Sequence, residues 1–262
     1  MIKKGFGFAL LELMIALVVV VVLGVVGLKI VHSTHKPTPA SHTAKTQADQ
    51  PLLLKSIGFN LDYYNAATNH AGDMVFTHED HDLGLTHMIF ADFGVQDARS
   101  PNDPTKRNPQ PTFVLPLGTR VHSLVDGEVV NVESLYSGDY TIWVSSHKGS
   151  NYIYETEHVD NPLVKVGARV HGGQIIGEVS DHDSQYHPGF GIVEIGILHP
   201  EPNGVAQHIC PFHYLAPSIK TDIQKKILNV HQAWMQYIGM PNLYDDAHSA
   251  EPGCFTLDAV NG

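Results

Sequence analysis

Residues 13–28, LMIALVVVVVLGVVGL, are sixteen apolar residues without a break, and this run divides the chain in two. With Phe8 to Leu11 before it and Ile30 and Val31 after it, the segment reaches the ~20 residues that a helix needs to cross ~30 Å of hydrocarbon. Valine is a mediocre helix former in water, but inside lipid only a helix satisfies its own backbone. Lys3 and Lys4 precede the run. The positive-inside tendency therefore predicts a cytoplasmic N-terminus and an extracytoplasmic body after about residue 32. The alternative is a cleaved secretory signal peptide, but no small-residue cleavage site follows closely and the run is long.

The leader carries a second pattern. KKGFG-FALLELMIALVVV places Gly7 before Phe8 and Glu12 at the fifth position from Phe8. It resembles the class III leader of type IV pilins and pseudopilins, in which a basic leader ends in Gly, the mature chain starts with Phe, and that Glu pairs with a neighbouring subunit's amino terminus. The resemblance implies processing between Gly7 and Phe8, and it accounts for a carboxylate near a bilayer, which otherwise costs several kcal/mol. It covers ~25 residues and does not extend into the body. Residues 32–51 are polar, rich in Thr, Ala and Pro, and without periodicity; they read as a flexible linker.

Charge narrows the function of the body. Residues 1–50 hold 5 of the 16 Lys/Arg and 2 of the 27 Asp/Glu, which leaves 11 against 25 beyond them, a net of −14 with His neutral. Nucleic acid is excluded as a partner, because phosphate backbones need clustered cations. Two cysteines, Cys210 and Cys254, are too few for a Cys-rich zinc module. Outside the cytoplasm they can pair; two buried free thiols are the alternative.

From about residue 112 the chain reads as short strands. Apolar residues alternate on either side of Asp126-Gly127, a hairpin signal. Two more alternating strands flank His147 to Asn151, and two short ones flank Gly172-Gly173. HPGFGIVEIGIL is a further strand, with Gly189, Gly191 and Gly196 allowing close backbone approach. No βαβ alternation occurs. One helix follows: Ile219, Ile223, Ile227, Val230, Trp234 and Ile238 keep helical spacing, Pro217-Ser218 and Thr221-x-x-Gln224 offer starts, and Gly239 with Pro241 stops it.

PLGTRVHSLVDGEVVNVE (116–133) and TIWVSSHKGSNYIYETEHVDNPLVKVGARVHGGQIIGEVS (141–180), with the spacing of Val166, Gly167, Val170, Gly173, Ile176 and Gly177, resemble the lysostaphin/LytM-type zinc endopeptidases of peptidoglycan, peptidase family M23. The resemblance implies a mainly β, barrel-sandwich domain (a duplicated hybrid motif), here with an N-terminal transmembrane helix and a C-terminal α-helix. The expected organisation is leader and anchor 1–31, linker 32–51, LytM-like β domain 52–212, and C-terminal helix and tail 213–262.

Family members hold zinc with a His, an Asp four residues later, and the second His of a His-x-His strand. The first His of that strand and the His of a Tyr-x-His element handle the attacking water. Zinc needs about three N/O ligands and one open position for this chemistry. Here His87 and Asp92 are five apart, so both would face one cleft only across a bulge. Where the family has Gly-Pro-His-x-His-Phe-Glu, this chain has HPGFGIVEIGIL; neither alignment, through Pro188 or through Glu194, puts an imidazole at the required positions. The candidates carried forward are His158 as general base if the domain is active, Tyr154, His187 and Glu194 as groove residues, and His87, Asp92 and Glu194 as zinc ligands. Residues 95–115, with four prolines, read as an inserted surface loop beside the cleft.

The resulting expectation is a degenerate domain with zinc more readily absent than bound. It would be held in a bacterial inner membrane through residues 8–31, and would engage peptidoglycan or an envelope protein from the periplasmic side. An active zinc endopeptidase with non-standard ligands, and a minor pilin-like subunit, are the alternatives.

Overall fold

The computed structural model describes residues 49–78, 87–97, 100, 102–103, 105–182, 188–200 and 205–262. The apolar run at 13–28, the pilin-like leader and most of the 32–51 linker lie outside these residues. Among the described residues no helix is long and apolar enough to cross a membrane.

The strands in chain order are β1 (Leu61–Asn65), β2 (His70–Gly72), β3 (Met74–Val75), β4 (Phe90–Ala91), β5 (Thr112–Pro116), β6 (Arg120–His122), β7 (Gly127–Ser134), β8 (Tyr140–Ser145), β9 (Ile153–Asp160), β10 (Arg169–Val170), β11 (Ile175–Val179), β12 (Phe190–Pro200), β13 (Ala206–Ile209) and β14 (Val260–Asn261). One helix, α1 (Pro217–Ile238), follows a single turn at Pro211–Tyr214. The mainly β body with one C-terminal helix is therefore present. β1, β2 and β3 form a small antiparallel sheet, and the other strands form a second sheet of eleven strands.

Strand β12 organises the large sheet. Along one edge it pairs with β9 from Glu194 to Leu198. Along the other it pairs first with β5, from Phe190 to Glu194, and then with β13, from Ile197 to Pro200. Alternation then sorts its side chains: Val193, Ile195 and Ile197 are fully buried with Phe113 and Leu115 of β5 and Ile142 of β8. The same pleat sends Glu194 and Gly196 to the opposite face.

Several sequence expectations meet their physical limits here. Asp126-Gly127 joins β6 to β7, but these strands do not pair: β6 pairs with β11, and β7 with β8 and β10. The Gly is needed because a Cβ at 127 would sit 2.5 Å from the Ser145 carbonyl. Asp126 accepts the Gly172 N–H at 2.9 Å and pairs with Lys55, so the Asp-Gly signal marks a junction, not a two-residue hairpin. Residues 108–115 are not a surface insertion either. Asn108, Gln110, Thr112, Phe113, Val114 and Leu115 are all buried, and β5 is an interior strand bracketed by Pro111 and Pro116.

Helix α1 begins with Pro217 in its first turn and ends at Gly239, whose φ of 73° forms a left-handed cap; its N–H donates to the Met235 carbonyl. Ile227, Val230, His231 and Trp234 are buried, and Trp234 packs edge-on against Phe76. Cys210 and Cys254 form a disulfide. At the other end of the described chain, Leu54 bridges Leu215 and the Tyr154 hydroxyl donates to the Leu52 carbonyl, so the residues after the linker are packed into the body.

Candidate functional site

The chemistry gathers on the face of the large sheet opposite the apolar one. Thr112, Glu194 and Glu157 are consecutive partners across β5, β12 and β9. Directly opposed residues share a face, so two glutamates and a threonine form a row. Glu155, two residues from Glu157, stands opposite Gly196; a Cβ at 196 would lie 2.5 Å from Glu155 Oε1, so this glycine makes room for the carboxylate. Glu155 is buried and satisfied, accepting from Gln110 at 3.0 Å and from His208 Nε2 at 2.5 Å.

His158 joins this face through a bulge. Ile142 pairs with Thr156 and Tyr140 with Val159, so β9 carries one more residue than β8 across the same span. An extra residue breaks the alternation. His158 has φ 61°, a left-handed value that a non-glycine residue holds only when its surroundings impose it. The result brings Glu157 and His158, neighbours in sequence, to one place: their ligating atoms and that of Glu194 lie within 4.8 Å of one another.

The ring of His158 is fixed. Its Nδ1 donates to Asp139 Oδ2 at 2.9 Å, the Ser180 hydroxyl donates to the same oxygen at 2.6 Å, and Ser137 donates to Oδ1. Burial alone would raise the Asp139 pKa, but these hydrogen bonds hold it at about 2, so it remains ionised. The His182 ring stacks on His158 at 4.0 Å. His158 Nε2 points to Glu194 Oε2 at 3.9 Å. Burial works against a charge on His158, yet the Asp139 hydrogen bond and the Glu194 and Glu157 carboxylates outweigh it and raise its pKa. Glu157 is pushed up to about 7, first by burial and then by Glu155 and Glu194. The face therefore combines an oriented imidazole with a carboxyl group poised between its acid and base forms.

The sequence candidates divide among different places. His158 and Glu194 come together. Tyr154 lies on the apolar side of β9, 1% exposed. His87 is exposed, with φ 57°, and its carbonyl accepts the Trp234 indole N–H at 2.8 Å. Asp92 belongs to another cluster: its Oδ1 lies 3.3 Å from His231 Nε2, while His231 Nδ1 donates to Asp246 at 2.7 Å. Thus His87, Asp92 and Glu194 are not brought together. His187 lies outside the described residues. Sequence reading missed Asp139, Glu155, Glu157 and His208; the bulge that brings His158 beside Glu157 leaves no local signature, whereas alternation within IYETEH could have put Glu155 and Glu157 on one face.

Comparison with known proteins follows the same strands. Residues 111–196 match the model of peptidase family M23. A mutant catalytic domain of the prophage-encoded M23 protein EnpA from Enterococcus faecalis is 24% identical, over 46% of this chain and 85% of that one, with a TM-score of 0.35. The catalytic domain of lysostaphin from Staphylococcus simulans is 22% identical, over 45% of this chain and 85% of that one, with a TM-score of 0.35. Whole lysostaphin is 22% identical with a TM-score of 0.35, over 53% of this chain and 54% of its own length, so the chain spans about half of it. No curated protein sequence matches.

The residues present do not fit the zinc that the family implies. The strand entering the Gly118-Thr119 turn is β5, headed by Thr112, with Asn108 four residues before it. Asn108 donates its amide to the Ala91 and Asp92 carbonyls at 3.4 and 3.1 Å. The Thr112 hydroxyl lies 3.0 Å from the Gln110 carbonyl and 3.1 Å from Glu194 Oε1. Before Glu194 on its face stand Ile192 and Phe190. An amide and a hydroxyl committed to structural hydrogen bonds, with two hydrocarbons, do not make a zinc ligand set. The match begins one residue before Thr112 and leaves His87, Asp92 and Asn108 outside it; what it shows is that residues 111–196, with the strands they build, are similar to peptidase family M23.

Proposed function

We propose that the chain is a membrane-anchored, extracytoplasmic M23-like domain that binds peptidoglycan or an envelope protein without cutting it. The observation that carries this reading is the donor set just described: Thr112 heads the strand that enters the Gly118-Thr119 turn, with Asn108 four residues before it, and Ile192 and Phe190 precede Glu194 on its face, so these strands offer none of the imidazoles that the family's zinc chemistry uses. Without the family's two-histidine strand the fold retains a polar face bearing Glu157, His158 and Glu194 but lacks its family's arrangement for attacking a peptide. The sequence supports the anchor at residues 8–31 and a body facing the periplasm. The test is co-sedimentation of the purified chain with intact sacculi, beside a turbidity assay with and without added zinc. Binding without clearing is expected; zinc-dependent clearing contradicts the proposal.

One observation favours a second reading, an endopeptidase with non-standard ligands: Asp139 orients His158 toward Glu157 and Glu194 as a base would be oriented. That reading requires clearing of sacculi that disappears in His158→Ala. For the leader, mass spectrometry of the mature N-terminus distinguishes a plain anchor from pilin-like processing, which would start the chain at Phe8.

A further inference from the structure

Three features of the polar face call for a partner that the chain does not supply. Glu157 and Glu194 stand directly opposite each other across β9 and β12, an arrangement of like charges that weakens a sheet, and among the described residues no lysine or arginine pairs with either. His158 is 5% exposed; Asp139 occupies its Nδ1, while Nε2 is 3.9 Å from its nearest carboxylate oxygen, beyond hydrogen-bond range. The Thr141 hydroxyl and the Trp143 indole N–H are buried without a partner. Trp143 is the direct partner of Glu155, and Thr141 precedes it by two, so both belong to this same face. Thr141 is 3% exposed, so solvent does not satisfy it.

We propose that Glu157, His158 and Glu194 bind a first-row divalent cation. The ion neutralises the opposed glutamates and takes the free Nε2. Donors that each lie ~2.1 Å from a shared ion are at most ~4.2 Å apart. The three ligating atoms already fall within 4.8 Å of one another, so small side-chain rotations close the site. Asp139 acts as the carboxylate behind a metal-bound histidine, fixing the ring so that Nε2 faces the ion. Remaining positions go to water, for which Thr141 and Trp143 offer hydrogen bonds. One imidazole and two carboxylates suit zinc above manganese in intrinsic affinity. The site uses none of the positions Asn108, Thr112 or Ile192 and does not require the domain to cut anything.

The test takes the full chain, stripped with chelator and returned to chelator-free buffer, and titrates it with zinc chloride; cobalt(II) in parallel reports coordination through its visible absorption. One equivalent should bind with affinity of ~10 µM or tighter. Affinity should fall at least about tenfold in Glu194→Gln and in Glu157→Gln, since losing even an outer carboxylate weakens such sites ~10-fold or more. His248→Ala and His213→Ala, at more exposed histidine–carboxylate pairs, should leave it unchanged. Near-ultraviolet circular dichroism verifies folding; if Glu194→Gln fails it, Glu157→Gln, which removes one of the opposed charges, decides the matter. Absence of a saturable equivalent, or wild-type affinity in folded Glu157→Gln, overturns the proposal. Hydrolysis is not read, so the result stands apart from whether sacculi are cut.

Discussion

Two of the three buried histidines among the described residues, His231 and His158, sit between carboxylates in contrasting ways. His231, on α1, has no exposed surface; it lies between Asp92 and Asp246 and stacks on Tyr244 with ring centroids 3.8 Å apart. Burial disfavours its charge, but the two carboxylates raise its pKa to about 9, so it is an imidazolium at neutral pH. It fastens the end of β4, the helix and the C-terminal segment to one another. His158 has one carboxylate behind it and an Nε2 left facing two more. In the first centre a carboxylate flanks the ring on either side, hydrogen-bonded at Nδ1 and in ion-pair contact at Nε2, which offsets the desolvation of the buried charge. The second keeps unspent hydrogen-bonding capacity and crowded negative charge, which a stable core does not tolerate without a reason.

The largest effect should separate these centres by stability. His231→Ala strands the buried Asp92 carboxylate and unpairs the partly exposed Asp246, and should cost about 3 kcal/mol, measured by denaturant unfolding at pH 7. The same centre predicts a pH response. Its folded pKa is raised above the unfolded value near 6.5, so the stabilisation is fully present below about 6.5 and is lost as pH rises through about 9. Unfolding midpoints that stay flat from pH 6.5 to 9.5 would remove His231 from its structural role.

Next in size is the disulfide, whose cysteines are 44 residues apart and which ties Cys254, the bridge partner of Phe93, to Cys210. In the chain-entropy model a loop of this length contributes about 4 kcal/mol, so Cys210→Ser with Cys254→Ser should lower stability by about 2–4 kcal/mol. Glu157→Gln should act in the other direction, raising stability of the metal-free chain by about 1 kcal/mol, because it relieves the charge opposed to Glu194. A loss there would place Glu157 in the fold's own support and erase the contrast between the centres. Smallest of all, His248→Ala breaks a pair with Asp245 that is largely exposed and should change stability by less than about 0.5 kcal/mol.

The sequence made the strands from β7 to β12 legible because alternation and the glycine spacing are local. β8 and β9 flank His147–Asn151 as alternation requires, and α1 spans Pro217–Ile238 with the expected stop at Gly239. It made β5 illegible, since four prolines in 95–115 suggest a loop while Phe113, Val114 and Leu115 occupy the interior. The small sheet β1–β3 was also missed; its strands pair as a short antiparallel meander, and β2 and β3 are too short to show an alternating pattern. In the site, His158 and Glu194 were visible as isolated residues. Their neighbours Glu155 and Glu157 were not, because a polar run on a strand reads as a solvated face until pairing shows what lies opposite. The His87–Asp92 pair drew attention through its spacing, but Asp92 answers to His231 and Asp246, 139 and 154 positions away along the chain.

The proposal on which the rest depends is that the M23-like region lacks that family's zinc chemistry, with Thr112 and Ile192 on the matched strands and Asn108 just before them. The most direct measurement is mass spectrometry of soluble fragments released from purified sacculi by the full chain carrying one equivalent of zinc. The account predicts no fragments beyond those of the protein-free control; chelator-sensitive release of peptides or cross-link fragments would contradict it.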